Sequence, residues 1–258
     1  MFAGCDGVSS KPVNVIQHPS PGNPKVVGAI EYILPADEMP AEVLAKLHPW
    51  IRQMRGKRPA EVKQQLVQRW STIKNPALQE LRDRLLEFQP TSIVVHKGQG
   101  WLHAQVPSAK SVVGDHWYLP APNDEIDWSA KLQEVGMQNN QLLAEFVAHF
   151  GGLREDIPDM AGSFLEASKW ETFPLPGYHQ VKSAKDWQGS LLLFHARNGN
   201  AVLLHPSGRC GWWWFPEHEA NESHPDLESF IRDFTRFNRE YSYPYDGYGA
   251  DREHRRRR

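Results

Sequence analysis

From Leu227 to Tyr241 apolar residues return every three or four positions. Leu227, Phe230, Ile231, Phe234, Phe237 and Tyr241 fall on one stripe, with Glu228, Arg232, Arg236, Arg239 and Glu240 elsewhere. This spacing predicts an amphipathic helix laid on a core. Pro225 and Asp226 suit its first turn, where proline loses no hydrogen bond and a carboxylate meets the positive end of the helix dipole. Upstream, three apolar runs are separated by turn residues: Gly189–Arg197, Asn200–His205 and Cys210–Phe215, divided by Asn198-Gly199 and Pro206-Ser207-Gly208. Asn-Gly tolerates the positive φ angles of a tight hairpin, so the pattern predicts an antiparallel meander. A two-residue loop there would place Leu191, Leu193 and His195 on one face with Val202 and Leu204. Leu192 and Phe194 would share the other with Ala201, Leu203 and His205, leaving His195 and His205 apart.

Residues 1–24 are rich in Pro, Gly, Ser and Asn without sustained period and read as a disordered tail. Residues 25–119 read as a mixed α/β unit. Val26 to Leu34 forms a strand, and three helices follow, from about Pro40 with a break or kink at Pro49, after Pro59, and from the Asn75-Pro76 start signal. Thr91–His96 and Trp101–Val106 read as hairpin strands around Lys97–Gly100, and Ser111–Leu119 as a third strand. The two prolines and three acids of 120–127 suggest a linker. A second unit, 128–241, would open with a long helix through Leu132, Val135, Leu143, Phe146 and Phe150, weakened at Gly136 and capped at Gly151-Gly152. Residues 242–258 read as a disordered Arg-rich tail. The expected class is α+β, a C-terminal antiparallel meander packed by helices and preceded by a mixed unit with a helical section.

The sequence of the second unit resembles the SUKH superfamily, which includes bacterial toxin-immunity proteins and regulators of fungal cell-wall assembly. The resemblance lies in a helix ending in Gly-Gly, Leu142 to Gly152, then Leu191–Phe194, Asn198-Gly199, Val202–Leu204 and Ser207-Gly208, with the closing helix at Leu227–Phe230. It covers about residues 128–241. It implies an α+β fold used for protein recognition, and contact surfaces that vary with the partner. The three adjacent tryptophans and the N-terminal unit depart from the pattern.

Composition narrows the partners. With 29 basic and 31 acidic residues the charge is nearly balanced, which gives no global electrostatic case for nucleic acid or an anionic membrane. No apolar run of bilayer-spanning length occurs. Two cysteines, Cys5 and Cys210, make no disulfide framework and fit a reducing, cytoplasmic setting. The N-terminus has no charged segment followed by an apolar one, and Phe2-Ala3-Gly4-Cys5 would act as a lipoprotein cleavage box only if the true start lay upstream of Met1.

No nucleophile elbow, dinucleotide fingerprint or phosphate-binding loop is present, so no cofactor is expected. Cys210 reads as a small buried hydrophobe. The leading expectation is a non-catalytic interaction module, an immunity-type protein that neutralises a toxin or regulates a partner by occluding its surface. Trp212, Trp213, Trp214, Arg232 and Arg236 are the contact residues this suggests, because Trp and Arg favour interface hot spots. One alternative is a metal-dependent hydrolase using His218, Glu222 and His224 in a polar loop that also holds Glu219. Another is weak nucleic-acid binding through the basic helices (Arg52, Arg55, Lys57, Arg58, Lys63) and the tail Arg252 and Arg255–Arg258.

Overall fold

The computed structural model describes residues 29–105, 116–121, 127–154, 163–164, 170–173, 185–195, 200–214 and 219–241. The expected tails 1–24 and 242–258, residues 122–126 of the expected linker, Asn198-Gly199 and His218 lie outside the described residues. The fold is α+β. Strands β1 (Ile30–Ile33), β2 (Gln89–His96), β3 (Gln99–Gln105) and β4 (His116–Pro120) form one antiparallel group of four. Strands β7 (Leu191–His195), β8 (Ala201–Leu204), β9 (Cys210–Trp214) and β10 (Glu219–His224) form another. Two-residue strands, β5 (Leu153–Arg154) and β6 (Ser163–Phe164), join the groups into a ten-stranded sheet that follows chain order.

The helices are α1 (Ala41–Leu44), α2 (Pro49–Arg52), α3 (Pro59–Trp70), α4 (Pro76–Leu85), α5 (Trp128–Glu134), α6 (Gln141–Phe150) and α7 (Leu227–Tyr241). Pro49 splits the first expected helix into α1 and α2, because its ring excludes a hydrogen bond inside a helix but suits a first turn. The Asn75 side chain caps α4 by accepting from the Ala77 N–H at 2.8 Å, leaving Pro76 at the first helical position. The long helix expected after residue 128 is instead two helices. Gly136 adopts φ 73° and ends α5, and the Asn140 carboxamide starts α6 by accepting from Leu143 N–H at 2.9 Å. Gly151 takes the left-handed cap of α6. No helix among the described residues is long and apolar enough to cross a membrane.

The helices lie over one face of the sheet. Ile93, Val95, Leu102, Trp117, Leu119, Leu191, Val202, Leu204 and Trp212 meet Ile51, Leu66, Trp70, Leu78, Leu81, Phe146, Phe150, Phe230 and Phe234 in a continuous core. Each large side chain buried there contributes about 1.5–3 kcal/mol before the entropy of ordering it. Side chains from both sides of residues 120–127 enter this core. Polar ties cross the same line: the Trp70 indole donates to the His149 carbonyl at 3.1 Å, and the Glu145 carboxylate accepts from Lys74 N–H at 2.5 Å.

The opposite face carries two smaller clusters. One is Ala29, Val94, Trp101 and Tyr118; the other is Phe173, Trp187, Leu192, Ala201, Leu203, Trp213 and Ala220. Between β2 and β3 the turn is the residue pair Lys97 (φ 47°) and Gly98 (φ 79°), shorter than the four-residue turn expected, so Gln99 and Gly100 join β3.

The register of β7 and β8 differs from the one a two-residue Asn-Gly loop would impose. Leu192 pairs with Leu203, but Phe194 pairs with Val202 and His195 with Ala201, across an irregularity at Leu193. The extra residue turns Leu193 and Phe194 both to the helix-covered core. His195 is therefore paired with Ala201 instead of the expected Val202, and its side chain lies outside the described residues.

Asp226 caps the start of α7, where its carboxylate accepts from Ser229 N–H at 2.7 Å. This bond, a second to the Ser229 side chain and the nearby His224 hold its pKa below the usual carboxylate range against a smaller opposing effect of burial. A depressed carboxylate contributes stability above its unfolded pKa and loses it as pH falls through the folded value. We expect Asp226→Asn to be less stable than the parent at neutral pH, with the difference shrinking below about pH 4. Urea titrations at both pH values measure this; a difference independent of pH would contradict it.

Candidate interaction surface

The tryptophan strand is structural on both sides. Alternation along β9 sends Trp212 into the helix-covered core and Trp213 into the cluster on the other face, and they are 5% and 2% exposed. Neither presents a surface to a partner. Trp214 ends β9, and its side chain lies outside the described residues. Arg232 extends from α7 to Glu228 at 2.9 Å and to Glu80 on α4, so it latches two helices of the same chain. Arg236 pairs with Asp233 and keeps a side chain 68% exposed, the most solvent-facing of the residues singled out by type.

The polar group before α7 is the edge strand β10 rather than a loop. Arg209 holds Glu222 at 3.2 Å, donates to the Asp186 carbonyl at 2.8 Å and lies 4.7 Å from the Trp187 ring centre. His224 meets a different set, with Nε2 3.4 Å from Asp233 and its ring 5.4 Å from that of Phe230. Glu222 and His224 thus serve separate contacts. Among the described residues no group of three or more His, Cys, Asp or Glu side chains is arranged to hold a metal ion. Cys210 is fully buried, and burial raises its thiol pKa, which opposes the thiolate a nucleophile needs. His205 lies edge-on to Trp187 at 5.9 Å, where burial and the Arg209 charge lower its pKa. In the basic helical region, Arg55 donates to the Asp37 carbonyl at 3.0 Å, and Arg58 begins α3, its N–H donating to Glu61 at 2.7 Å.

A polar cluster that the sequence did not flag sits on the face of β1–β4 away from the helices. The Ser92 hydroxyl donates to the Glu31 carboxylate, and His103 Nδ1 lies 3.1 Å from Ser92 Oγ, 3.1 Å from Thr91 Oγ1 and 3.2 Å from Glu31 Oε1. His103 stacks on Tyr118 with ring centres 4.8 Å apart. The ionised Glu31 carboxylate can only accept, so its contact with His103 favours the tautomer that carries the proton on Nδ1. A serine protease-like relay needs the serine and the acid on opposite ring nitrogens. Here they share one, Ser92 is fully buried, and the cluster acts as a polar tie between β1, β2 and β3. Its sequence trace is faint: the irregularity between Pro90 and Ser92 brings Thr91 and Ser92 together beside His103.

The exposed large apolar side chains among the described residues are Ile30 (42%), Ile33 (53%) and Val67 (47%). Two of the three lie on β1, the strand that ends the sheet. The other terminal strand, β10, presents Asn221, Glu222 and Ser223 instead, a polar edge of the kind that discourages pairing with other chains. Beside β1, Asp37, Glu38 and Glu42 are exposed, and none of their carboxylates forms an ion pair among the described residues. No protein-family model, no curated protein and no solved structure matches the chain.

Proposed function

We propose that the chain is a non-catalytic protein-recognition module of the immunity type, acting in the cytoplasm by covering a surface of its partner. The observation that carries this reading is the pair Ile30 and Ile33, exposed on a terminal strand next to carboxylates that form no ion pair among the described residues. Folded proteins normally suppress an apolar edge with charge, proline or cover, as β10 does here, because such an edge recruits other chains. Keeping one supports its use in recognition. The order of α6, its Gly-Gly end, β7 to β9 and α7 supports the SUKH-like reading of the C-terminal half. The buried free thiol of Cys210 suits a reducing compartment. Recognition would then rest on complementary apolar and charged contacts, without bond chemistry.

The test uses full-length protein and its Ile33→Lys variant as baits in lysate of the source cells, with mass spectrometry of what is retained. The expected result is a protein recovered in near-stoichiometric amount by the parent. Recovery of none by either bait would overturn the recognition reading. A toxin gene beside the coding sequence would favour the immunity role, and a metabolic operon would count against it.

A further inference from the structure

We propose that β1 and the acidic turn after it form a docking edge for an extended segment of another protein in which two basic residues lie between two apolar ones. The proposal rests on the recognition reading above and specifies the partner for the same surface.

The register of β1 sets the geometry. Leu34 N–H donates to the Thr91 carbonyl at 2.9 Å, so the even-numbered residues of this strand direct their backbone groups at β2. Ile33 therefore turns its N–H away from β2, and its outward carbonyl accepts from Ala36 N–H at 2.6 Å. Side chains alternate. Ile30 is on the helix side with Tyr32, whereas Ile33 is on the opposite side with Glu31. A strand laid along this edge sets one residue beside each of the four. Apolar residues suit the positions beside Ile30 and Ile33, because they cover what is exposed.

Charge decides the middle positions. Between Ala29 and Ala45 the sequence holds Glu31, Asp37, Glu38 and Glu42 and no Lys, Arg or His. Tyr32 has a raised pKa, from burial first and then from Glu42 and Glu38, which places both carboxylates within electrostatic reach of its hydroxyl. A basic side chain beside Tyr32 would meet them, and one beside Glu31 would meet a further negative charge. Several carboxylates elsewhere among the described residues are matched by basic side chains: Glu80 and Glu228 by Arg232, Glu87 by Arg84 and Arg239, Glu134 by Lys131, and Glu222 by Arg209. A second copy of this chain paired through β1 would bring two such acidic sets together, so the complement is a basic segment of a different protein.

The probe is a capped, fluorescently labelled peptide with the core Val-Lys-Lys-Val, whose palindromic order fits either strand direction. Controls are Val-Glu-Glu-Val and a backbone N-methylated Val-Lys-Lys-Val, which keeps the side chains but cannot pair as a strand. With full-length protein, fluorescence polarisation is expected to show the parent peptide binding at least about tenfold more tightly than either control. Ile33→Lys, and separately the double substitution Glu38→Gln with Glu42→Gln, are each expected to weaken it about fivefold or more. Amide exchange at Ile33 should slow on binding. The double variant leaves β1 intact and keeps the test decisive if Ile33→Lys melts early. Equal affinity for the N-methylated peptide, or indifference to both variants, overturns the docking edge. Sedimentation showing a dimer that Ile33→Lys dissociates overturns it in favour of a second copy. A cellular partner retained equally by the parent and Ile33→Lys baits overturns this edge while leaving the recognition reading in place.

Discussion

Replacing Phe234 with alanine is expected to cost about 3–5 kcal/mol, the range for truncating a buried aromatic whose surroundings cannot collapse. Phe234 is fully buried, and its ring lies 5.8 Å from that of Trp117, 5.0 Å from Phe164 and 6.0 Å from Phe194. These partners come from β4, β6 and β7. Each is held by its own strand, so none can move far into the vacated space. The ring contacts with Trp117, Phe164 and Phe194 are near edge-on, a geometry that adds to area burial. For a chain of this size the loss corresponds to a melting temperature roughly 6–20 °C lower. Calorimetry measures it directly. A shift under about 2 °C would mean that α7 does not close the core as described.

The second large effect is expected at Gly211, on β9 beside Trp187. A Cβ built there would lie 2.3 Å from Trp187 Cη2, 2.5 Å from Cζ2 and 2.7 Å from Cζ3, closer than real carbon contacts allow. The indole rests directly on the strand backbone. It is 3% exposed, and the Arg209 guanidinium is 4.7 Å from its centre, so the ring is confined from more than one direction. Gly211→Ala should therefore destabilise by about 1–3 kcal/mol through overpacking, with a further ~0.5–1 kcal/mol if the cation–π contact is lost. Trp187→Ala removes the ring that the methyl group would strike. The two substitutions should then be strongly non-additive, the double variant being no less stable than Trp187→Ala alone. Additive urea-denaturation energies would refute the contact.

These two sites show what was legible in the chain. Phe234 belongs to a stripe with helical period, and that period can be read without knowing what the helix packs against. The same holds for α3 and α4, whose starts are marked by Pro59 and by Asn75-Pro76. Gly211 gave no such signal, since its role comes from Trp187, which reaches it across space. The sequence of β10 reads as a loop because a polar terminal strand, Glu-Ala-Asn-Glu-Ser-His, has only Ala220 buried and lacks the alternation that betrays a strand. β5 and β6 are too short for any period, and only their neighbours make them strands.

The tryptophans of β9 illustrate a different limit. Alternation correctly separates Trp212 from Trp213, but it cannot say whether each face is covered, because the cover is supplied by α7 on one side and by Phe173 and Trp187 on the other. The irregularity at Leu193 was also hidden: an extra residue in a run of Leu-Leu-Leu-Phe leaves every position apolar. Conversely, the exposed edge of β1 could not be distinguished from a buried strand, because Ile30-Glu31-Tyr32-Ile33 reads as an ordinary β-branched and aromatic run. What marks it is its place at the end of the sheet and the fractional exposure of its two isoleucines.

The latch between α4 and α7 bears on how the protein is made. Arg232 meets Glu80, and Arg239 meets Glu87 at 3.1 Å, each across 152 residues of chain. Phe230 and Phe234 lie beneath that seam in a core to which β2, β3 and β4 contribute. During synthesis the first four strands emerge long before α7, whose Phe234 packs against Trp117 of β4. Until α7 has cleared the ribosome, Trp117 and Phe164 lack their contact with Phe234, and the nascent chain carries an uncovered apolar surface. Chaperone occupancy should persist until that helix appears, then fall sharply.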